Sequence, residues 1–358
     1  MVAHCSIHVV ETREVGLIAG IDSHKDTLSA SIIEAGGRQT AAETFPNTPD
    51  GHGKLAAWLS EHGSVQRIGI EGAGGYGRAL ALHLARMGMD VVEVTARLTV
   101  RERQRQPRPG KSDSTDAVAI ARISAREDDL PPIRQEGFTQ DLKALLDYRE
   151  QLIAERTRIA NRVHASLVTL RPGYQTRCRA LNTNRSLTTV LLLIRGDSSV
   201  QAELIRRRVR DLRRLDAEAR ALKQRITALV RASGTSLTQI HGIGFLVAAR
   251  ILAEVGDVRR FRTKSKFAAA NGTAPISASS GRTNRHRLNR GGNRKLNRAL
   301  HTAALTQARD ATPGQRYVDH KQSQGKTRRE AIRCLKRRIS DAVYRCIRSD
   351  LAVSQLMA

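Results

Sequence analysis

Short apolar runs alternate with helical patterns over the first third of the chain, and this alternation constrains the fold more than any other feature. Residues 15–21 form an apolar run that ends at Asp22, and residues 65–70 predict a second strand, which ends at Glu71. Further strands are predicted at residues 26–33, 38–45 and 90–94, and helices at residues 51–62 and 78–87. Such alternation predicts an α/β domain with a partly parallel sheet, in which sites form at the carboxyl ends of strands.

Two more carboxylates, Asp113 and Asp116, lie in residues 110–122, which predict a glycine turn followed by a helix. At a spacing of three residues, the two side chains share one helical face. Taken alone, the pattern favours N-terminal capping, because Asp and Ser stabilise first turns. Together with Asp22 and Glu71, however, four acids from three separate elements indicate a site for a hard divalent cation.

The charge balance points to a polyanionic partner. The chain has 358 residues, of which 61 are basic and 34 acidic, so its formal net charge is +27. Nucleic acid is the first candidate and an anionic membrane the second. Aromatic residues are only 3% of the chain, which argues against stacking platforms and favours phosphate contacts.

Other classes of protein find little support in the sequence. No apolar run approaches the roughly 20 residues that a membrane-spanning helix needs. With nucleic acid as the first candidate, no membrane partner is expected. The four cysteines show no CxxC spacing and thus no zinc signature, which favours a reducing cytoplasm.

After Pro131 and Pro132 the pattern becomes helical. The basic residues 97–108 before this boundary are predicted to form a mobile connection. Apolar residues recur at about half-heptad spacing from Leu142 to Leu170 and again from Leu212 to Leu229. Residues 139–234 therefore predict a helical hairpin or coiled coil, interrupted over residues 171–197. A bundle within one chain and a seam for self-association both remain open.

The last third combines glycine turns with basic segments. Residues 237–250 resemble a helix-hairpin-helix, in which Gly242 and Gly244 would let backbone N–H groups approach a phosphate, although a structural turn would look similar. Helices are predicted at residues 295–307 and 328–356. Basic runs are usually solvated faces, but here we expect nucleic-acid contacts. The candidate residues are Lys25, Arg101, Arg103, Lys111, Gly242, Gly244, Arg282, Arg285, Arg287, Arg290, Asn293, Lys295 and Arg298.

A rival interpretation comes from the glycines that follow the second strand. Gly72, Gly74 and Gly77 spell GxGxxG, with Glu93 about 20 residues further on, which is the dinucleotide-binding fingerprint. Glu71 counts against this interpretation because a carboxylate immediately before the loop would repel a pyrophosphate. A dinucleotide-binding enzyme remains the weaker alternative.

Several of these motifs together resemble one known family. Residues 20–26, residues 71–76 and residues 110–121 resemble, in order, the DEDD motif of the transposases of insertion-sequence family one hundred and ten. Ser280 and Gly281 resemble the Ser-Gly pair of that family's C-terminal domain, and residues 292–296 resemble the helix that follows it.

The resemblance implies a fold and a set of partners. After a lead-in at residues 1–14, it implies a RuvC-like, ribonuclease-H-type α/β domain at residues 15–130 and an α-helical coiled-coil region at residues 131–235. A mainly α-helical transposase domain would follow at residues 236–358. The implied partners are double-stranded DNA (element ends and target), a structured bridge RNA, and further copies of the chain in a dimer of dimers. The implied location is the cytoplasm, at the nucleoid.

The resemblance also implies a mechanism of strand cutting and rejoining. Asp22, Glu71, Asp113 and Asp116 would hold Mg²⁺, as one ion or two, with Mn²⁺ as a substitute. Ser280, which directly precedes Gly281, would be the nucleophile; Ser277 and Ser279 lie nearby, and Ser279 is the alternate. A Holliday-junction-type nuclease without serine chemistry is the main alternative, and a non-catalytic scaffold that ignores Mg²⁺ is another.

Overall fold

The chain divides into two compact units, residues 1–136 and residues 137–358. The structure, a computed structural model, describes residues 16–104, 113–128, 130–133, 137–277, 286–287, 289 and 291–356. Within these ranges, the side chains of Arg103, Asp113, Ser114, Ser277, His286, Arg287 and residues 354–356 are left undescribed. None of the helices in the described ranges is long and apolar enough to cross a bilayer.

The first unit is built on a mixed five-stranded sheet. Its strands are β1 (Leu17–Ser23), β2 (Thr27–Ile33), β3 (Gln39–Pro46), β4 (Val65–Glu71) and β5 (Val91–Val94). Their order is β3-β2-β1-β4-β5: β1, β2 and β3 pair antiparallel, whereas β1, β4 and β5 pair parallel. The predicted α/β fold with a partly parallel sheet is confirmed.

Four helices cover the two faces of this sheet. They are α1 (Pro49–Glu61), α2 (Arg78–Arg86), α3 (Ala96–Arg103) and α4 (Asp113–Arg126). Ile21 of β1 and Ile70 of β4 are buried in one core with the apolar residues of α1 and α2. Because side chains alternate along a strand, residues one position away face the opposite side. That side is covered by α4, whose Val118 and Ala121 pack with Ile18.

The predicted mobile connection at residues 97–108 is wrong for its first half. Residues 96–103 form α3, in which Thr99 is buried and Leu98 packs on a small core with Val92 and Val94. Because basic residues dominate this segment, its two inward-facing side chains produce little apolar pattern in the sequence. Residues 105–108 lie outside the described residues.

The second unit begins with two long helices and a shorter one between them. These are α5 (Phe138–Leu170), α6 (Asn184–Leu193) and α7 (Val200–Ala232). Val163 and Leu167 of α5 share a fully buried core with Val209 and Leu212 of α7. The two predicted seams therefore form a helical hairpin within one chain, and α6 lies in the predicted interruption.

The rest of the second unit is a helical assembly with a small hairpin. Its elements are α8 (Phe245–Val255), α9 (Lys264–Ala270), β6 (Ile276–Ser277), β7 (His286–Arg287), α10 (Arg294–Arg309), α11 (Pro313–Ser323) and α12 (Arg328–Leu356). Leu142 and Ile226, from α5 and α7, belong to the same core as α8, α10 and α12. The mainly helical character predicted for this region is confirmed, while the domain boundaries at residues 131 and 236 remain predictions.

Candidate active site

Two of the four predicted acids lie side by side at one end of the sheet. Asp22 and Glu71 are direct partners in the parallel pairing of β1 with β4. Neighbouring strands lie about 4.8 Å apart, and partners in register point to the same face. The two carboxylates therefore project from the same face, near the carboxyl ends of their strands, where a site was predicted.

The third acid comes from the helix that covers this face. A Cβ built on Gly20 would overlap the carbonyl oxygen of Ala117 and the amide nitrogen of Ala121, so α4 lies directly against β1. Further along α4, the carbonyl oxygen of Ser124 accepts a hydrogen bond from Arg67 Nη1 at 3.5 Å. The helix thus runs back along the sheet, and its first turn, which carries Asp116, lies toward the carboxyl ends of β1 and β4.

The remaining site predictions fall partly outside the described residues. Asp113 is the first residue of α4, but its side chain is undescribed, and Ser279, Ser280 and Gly281 lie outside the described ranges. Among the described residues, no group of three or more His, Cys, Asp or Glu side chains is arranged to hold a metal ion. The structure therefore brings Asp22, Glu71 and Asp116 to one face and one end of the sheet.

Two residues that the sequence analysis did not single out contact the acids. Thr99 Oγ1 donates a hydrogen bond to Glu71 Oε2 at 2.5 Å, and Thr99 is 1% exposed. His24 Nε2 lies 3.1 Å from Asp22 Oδ2. Thr99 was missed because it lies in the segment predicted to be a mobile connection, and its position next to Leu98 gave little signal of its own.

The glycine loop after β4 has a structural explanation. Gly72 has φ of +77°, a left-handed conformation that favours glycine, and a Cβ there would lie 2.7 Å from Ser23 Oγ. A Cβ on Gly77 would lie equally close to the same hydroxyl. Ser23 Oγ in turn donates to the carbonyl oxygen of Glu71 at 2.5 Å. The loop is therefore packed tightly against the end of β1, beside the acids.

The predicted nucleic-acid contacts are dispersed over both units. Lys25 and Arg101 are exposed in the first unit, while Lys295 and Arg298 lie on α10 in the second. Five others fall outside what the structure describes: Lys111, Arg282, Arg285 and Arg290 wholly, and Arg287 in its side chain. The side chain of Arg103, at the end of α3, is also undescribed.

Three further candidates occupy turns or helix starts. Gly242 has φ of +82°, and a Cβ there would lie 2.7 Å from the carbonyl oxygen of Ala303. Gly244 precedes α8 as its N-cap residue, and a Cβ there would meet nothing within 4 Å. Asn293 caps α10 by accepting from the Leu296 amide at 2.9 Å, and it donates to Glu254 Oε2 at 2.7 Å. Packing and capping thus account for Gly242 and Asn293.

Lys295 is tied to an ionic network between α5, α8 and α10. Its Nζ lies 2.6 Å from Asp147 Oδ1, and Arg250 Nη1 lies 2.8 Å from the same oxygen. Burial alone would raise the pKa of Asp147, but the hydrogen bonds from Lys295 and Arg250 outweigh burial and lower it. Arg250, which is buried, also contacts Glu150 and Glu254.

Comparison with known families decides the class of protein. Residues 19–172 match a family of DEDD transposases described as "Transposase", and residues 234–319 match "Transposase IS116/IS110/IS902 family". The two matches together span about two thirds of the chain and include all the predicted acids and Ser280.

The chain belongs to the IS116/IS110/IS902 transposase family.

Relatives of similar length agree with this assignment. The chain is 27% identical to "Insertion element IS110 uncharacterized 43.6 kDa protein" of Streptomyces coelicolor, over 92% of this chain and 94% of that protein. It is 26% identical to the "Pilin gene-inverting protein" of Moraxella lacunata, over 92% of this chain and 95% of that protein.

A solved structure, "T. thermophilus RuvC in complex with Holliday junction substrate", matches with 16% identity and a TM-score of 0.27, over 33% of this chain and 99% of that chain. A TM-score this low does not establish a shared fold.

Family membership settles the broad class of function. Transposases cut DNA, so the chain is a DNA-cleaving enzyme and DNA is its partner. The first family match includes the whole Gly72–Gly77 loop, which leaves the dinucleotide-binding alternative without support. A non-catalytic scaffold is likewise disfavoured.

Proposed function

We propose that this transposase cuts and rejoins DNA strands by joining its acidic cluster and a serine hydroxyl at one scissile phosphate. The observation that carries the proposal is the pair of carboxylates, Asp22 and Glu71, in register on adjacent parallel strands. Asp116 approaches the same end of the sheet from α4. Asp113, three residues earlier on that helix, would complete the set.

The chemistry of these side chains fits a hard divalent cation. Carboxylate oxygens are the ligands that Mg²⁺ prefers, with Mn²⁺ as a close substitute. When bound, one or two such ions would neutralise charge on the scissile phosphate and on the leaving oxygen. The hydrogen bond from Thr99 fixes the orientation of Glu71, and His24 contacts Asp22. These neighbours would position the carboxylates and limit their motion.

Ser280 is the proposed nucleophile. It directly precedes Gly281 and lies inside the second family match, beside several arginines. Its Oγ would attack phosphorus and form a phosphoserine, and the phosphorus–oxygen bond to the leaving strand would break. The proton of the serine hydroxyl would pass to solvent, and the leaving oxygen would take up one proton from solvent to become a hydroxyl. This phosphoserine ester would conserve the energy of the broken phosphodiester bond, which the rejoining step can then use. Because a hydroxyl is a weak nucleophile, it needs activation, and cationic side chains would stabilise the charge that develops on the phosphate.

The proposal includes a guide RNA and an oligomer. Base pairing by a structured bridge RNA would choose the element ends and the target, so the protein itself would contact mainly backbone. The name of the Moraxella relative describes inversion of a gene, which is a DNA rearrangement that requires cutting and rejoining. A dimer of dimers would let acids and serine of different copies share one site. Acting on DNA, the protein would be found at the nucleoid.

Denaturing gels of the reaction with end-labelled DNA test the serine. We expect a covalent protein–DNA adduct with the wild-type chain and with Ser279→Ala, and none with Ser280→Ala. Strand exchange that persists in Ser280→Ala would remove the serine from the mechanism and favour a junction-type nuclease. Sequencing of RNA that copurifies with the wild-type chain tests the guide, since a single structured RNA is expected.

Asp116→Asn tests the acids independently of the serine. The substitution removes one negative charge without changing the size of the side chain, so we expect loss of metal-dependent cutting with DNA binding retained. Undiminished cutting would show that Asp116 serves only its helix. Glu61→Gln, which changes an exposed acid at the end of α1, is the matched control.

A further inference from the structure

A cavity of about 850 Å³ lies between α10 and α12 in the second unit. Its lining is strongly basic, with Arg294, Lys295 and Arg298 from α10 and Arg329, Arg333 and Lys336 from α12. Among the described residues that line it, there is no aspartate, glutamate, phenylalanine, tyrosine or tryptophan. None of the acids of the candidate active site is among these residues.

The spacing of the cations shows why they converge. On α10, Arg294, Arg298 and His301 lie at positions i, i+4 and i+7, which share one helical face. On α12, Arg329, Arg333 and Lys336 repeat this spacing. The helices pack through apolar residues between these rows, including Leu300 and Leu335. Two rows of cations, one on each helix, therefore face one another across the cavity.

Two of the lining residues, Lys336 and Asn297, form the floor of the cavity and begin a chain of polar side chains. Lys336 is only 7% exposed, and its Nζ donates to Asn297 Oδ1 at 2.6 Å. Asn297 Nδ2 donates to the carbonyl oxygen of Asn271 at 2.8 Å, and Asn271 Nδ2 donates to Ser340 Oγ at 2.8 Å. Burial, together with the positive charge of Arg333, lowers the pKa of Lys336. An anion above this floor would stabilise the ammonium.

In the part of the chain that the structure describes, most of these cations form no close ion pair. Within the described part of the chain, Lys295 pairs with Asp147, but no carboxylate lies within 4.0 Å of the guanidinium of Arg294, Arg298, Arg329 or Arg333. Like charges four residues apart on a helix repel one another and destabilise it. Two such rows facing each other repel further, so the arrangement gains stability from a bound polyanion.

The dimensions favour a polymer over a single phosphate. Seven residues of helix rise about 10 Å, which is the axial length of about three nucleotides at 3.4 Å each in one strand. The absence of phenylalanine, tyrosine and tryptophan from the described lining residues favours contacts with the backbone over stacking on bases.

We propose that the α10–α12 cavity binds the sugar-phosphate backbone of a nucleic-acid strand over about three successive phosphates. DNA and RNA share this chemistry, and binding to separate DNA and RNA probes distinguishes them. The inference rests on the proposed function only in that nucleic acid is the substrate. It concerns binding, so loss of cutting in Asp116→Asn or Ser280→Ala leaves it untouched.

Fluorescence anisotropy of the full-length chain with labelled oligonucleotides tests this inference. The probes are single-stranded DNA, single-stranded RNA and duplex DNA of one sequence. The variant Arg298→Gln/Arg333→Gln removes one cation from each row. The control, Arg345→Gln/Arg348→Gln, removes two exposed cations from α12 outside the cavity. Both variants lower the net charge by the same amount.

The slope of log affinity against log salt is the decisive measurement. For at least one probe, we expect the cavity variant to bind on the order of tenfold more weakly, with a slope reduced by about 1.8 on duplex DNA or about 1.4 on a single strand. The control variant should change neither the affinity nor the salt slope by a comparable amount. The probe that shows the loss identifies DNA, RNA or both as the strand in the cavity.

Equal losses for the cavity variant and the control on every probe would overturn the inference. Arg294→Gln/Arg329→Gln, at the other end of the two rows, provides a second variant with exposed side chains. Far-ultraviolet circular dichroism and thermal unfolding establish that each variant is folded. If the first variant unfolds, the second decides the outcome by the same criterion.

Discussion

At the scale of single residues, the candidate active site depends on side chains that hold the acids as well as on the acids themselves. A carboxylate on a strand end can adopt several rotamers, and an ordered hydrogen bond selects one of them. Thr99 supplies such a bond to Glu71 from a buried position on α3. The basic segment that carries Thr99 is therefore part of the site's support.

Substitution of Thr99 tests this role. Thr99→Val keeps the shape of the side chain but removes the hydroxyl, so we expect cutting to slow by about 10–100-fold and the requirement for Mg²⁺ to rise. Thr99→Ser retains the donor and should restore most of the rate. Cutting rates over a range of Mg²⁺ concentrations measure both effects. Equal behaviour of the Val and Ser variants would assign Thr99 to packing alone.

Asp147 gives a prediction for pH. Burial would raise its pKa, but hydrogen bonds from Lys295 and Arg250 lower it below the ordinary value of 3.8. A lowered pKa in the folded state means that the stabilisation is fully present above the unfolded pKa and is lost as the pH falls through the folded pKa. Asp147→Asn should therefore reduce the free energy of unfolding at pH 7 by about 1–2 kcal/mol.

Thermal unfolding from pH 7 down to pH 3 measures this difference. The gap between wild type and Asp147→Asn should stay constant down to about pH 5 and shrink below the ordinary carboxyl pKa. Asp319→Asn, at an exposed position on α11, is the control and should have little effect at any pH. A gap that is independent of pH would mean that the charge of Asp147 is not what stabilises the fold.

At the scale of elements, the position of α4 on the sheet decides whether the acids can meet. The helix lies so close to β1 that only glycine fits at position 20, and a Cβ on Gly69 of β4 would likewise overlap Ser124 Oγ. Glycines thus act here by admitting a helix backbone, not by turning the chain. This close approach brings Asp116 toward Asp22 and Glu71.

Gly20→Ala tests the close approach. The added methyl group overlaps backbone atoms that cannot rotate away, so α4 must shift, and we expect a loss of stability of about 1–3 kcal/mol or more together with loss of cutting. Gly53→Ala is the matched control, because a Cβ at Gly53 meets nothing within 4 Å in α1 and alanine favours a helix. Thermal unfolding and cutting rates measure the two effects.

If Gly20→Ala proves as stable and active as Gly53→Ala, close contact between α4 and β1 is not what requires glycine at position 20.

The helical hairpin of α5 and α7 offers a contrast at the same scale. Its seam residues Val163, Leu167 and Leu212 are buried within one chain, so the heptad pattern needs no partner to explain it. Apolar residues such as Val200 and Leu204 remain exposed on α7.

At the scale of the whole molecule, the net charge of +27 sets how the protein meets DNA. The acids of the candidate active site lie in the first unit, and the second unit carries the basic cavity between α10 and α12. Binding and cutting should therefore respond to different conditions: binding to salt, and cutting to divalent metal.

Salt and chelator titrations separate these responses. If the chain neutralises 6–10 phosphates of duplex DNA, its affinity should fall by about 10³–10⁵-fold between 50 and 200 mM salt. A chelator should abolish cutting at any salt concentration and leave the affinity within about threefold, since the basic side chains need no metal. Filter binding and cleavage assays on the same samples measure both. A flat salt response, or cutting that survives the chelator, would contradict this separation.

Much of the architecture followed from local patterns. The apolar pattern of residues 15–94 predicted the strands and helices of the first unit. A strand that is buried on one or both faces of a sheet has a spacing of apolar residues that differs from that of a helix. Because Asp22 and Glu71 directly follow the apolar parts of β1 and β4, the sequence also placed them at the carboxyl ends of these strands. The leucine seams predicted α5 and α7, because a helix that packs along its length repeats its apolar residues every three to four positions.

Other features depended on contacts between distant parts of the chain. No local pattern relates Thr99 to Glu71, or Gly20 to Ala117, because these pairs meet only once the helices pack on the sheet. The basic rows of α10 and α12 could be read separately as solvated faces. Only the packing of one helix against the other turns them into a single cavity, since spacing along a chain fixes the face of each helix but not which faces meet.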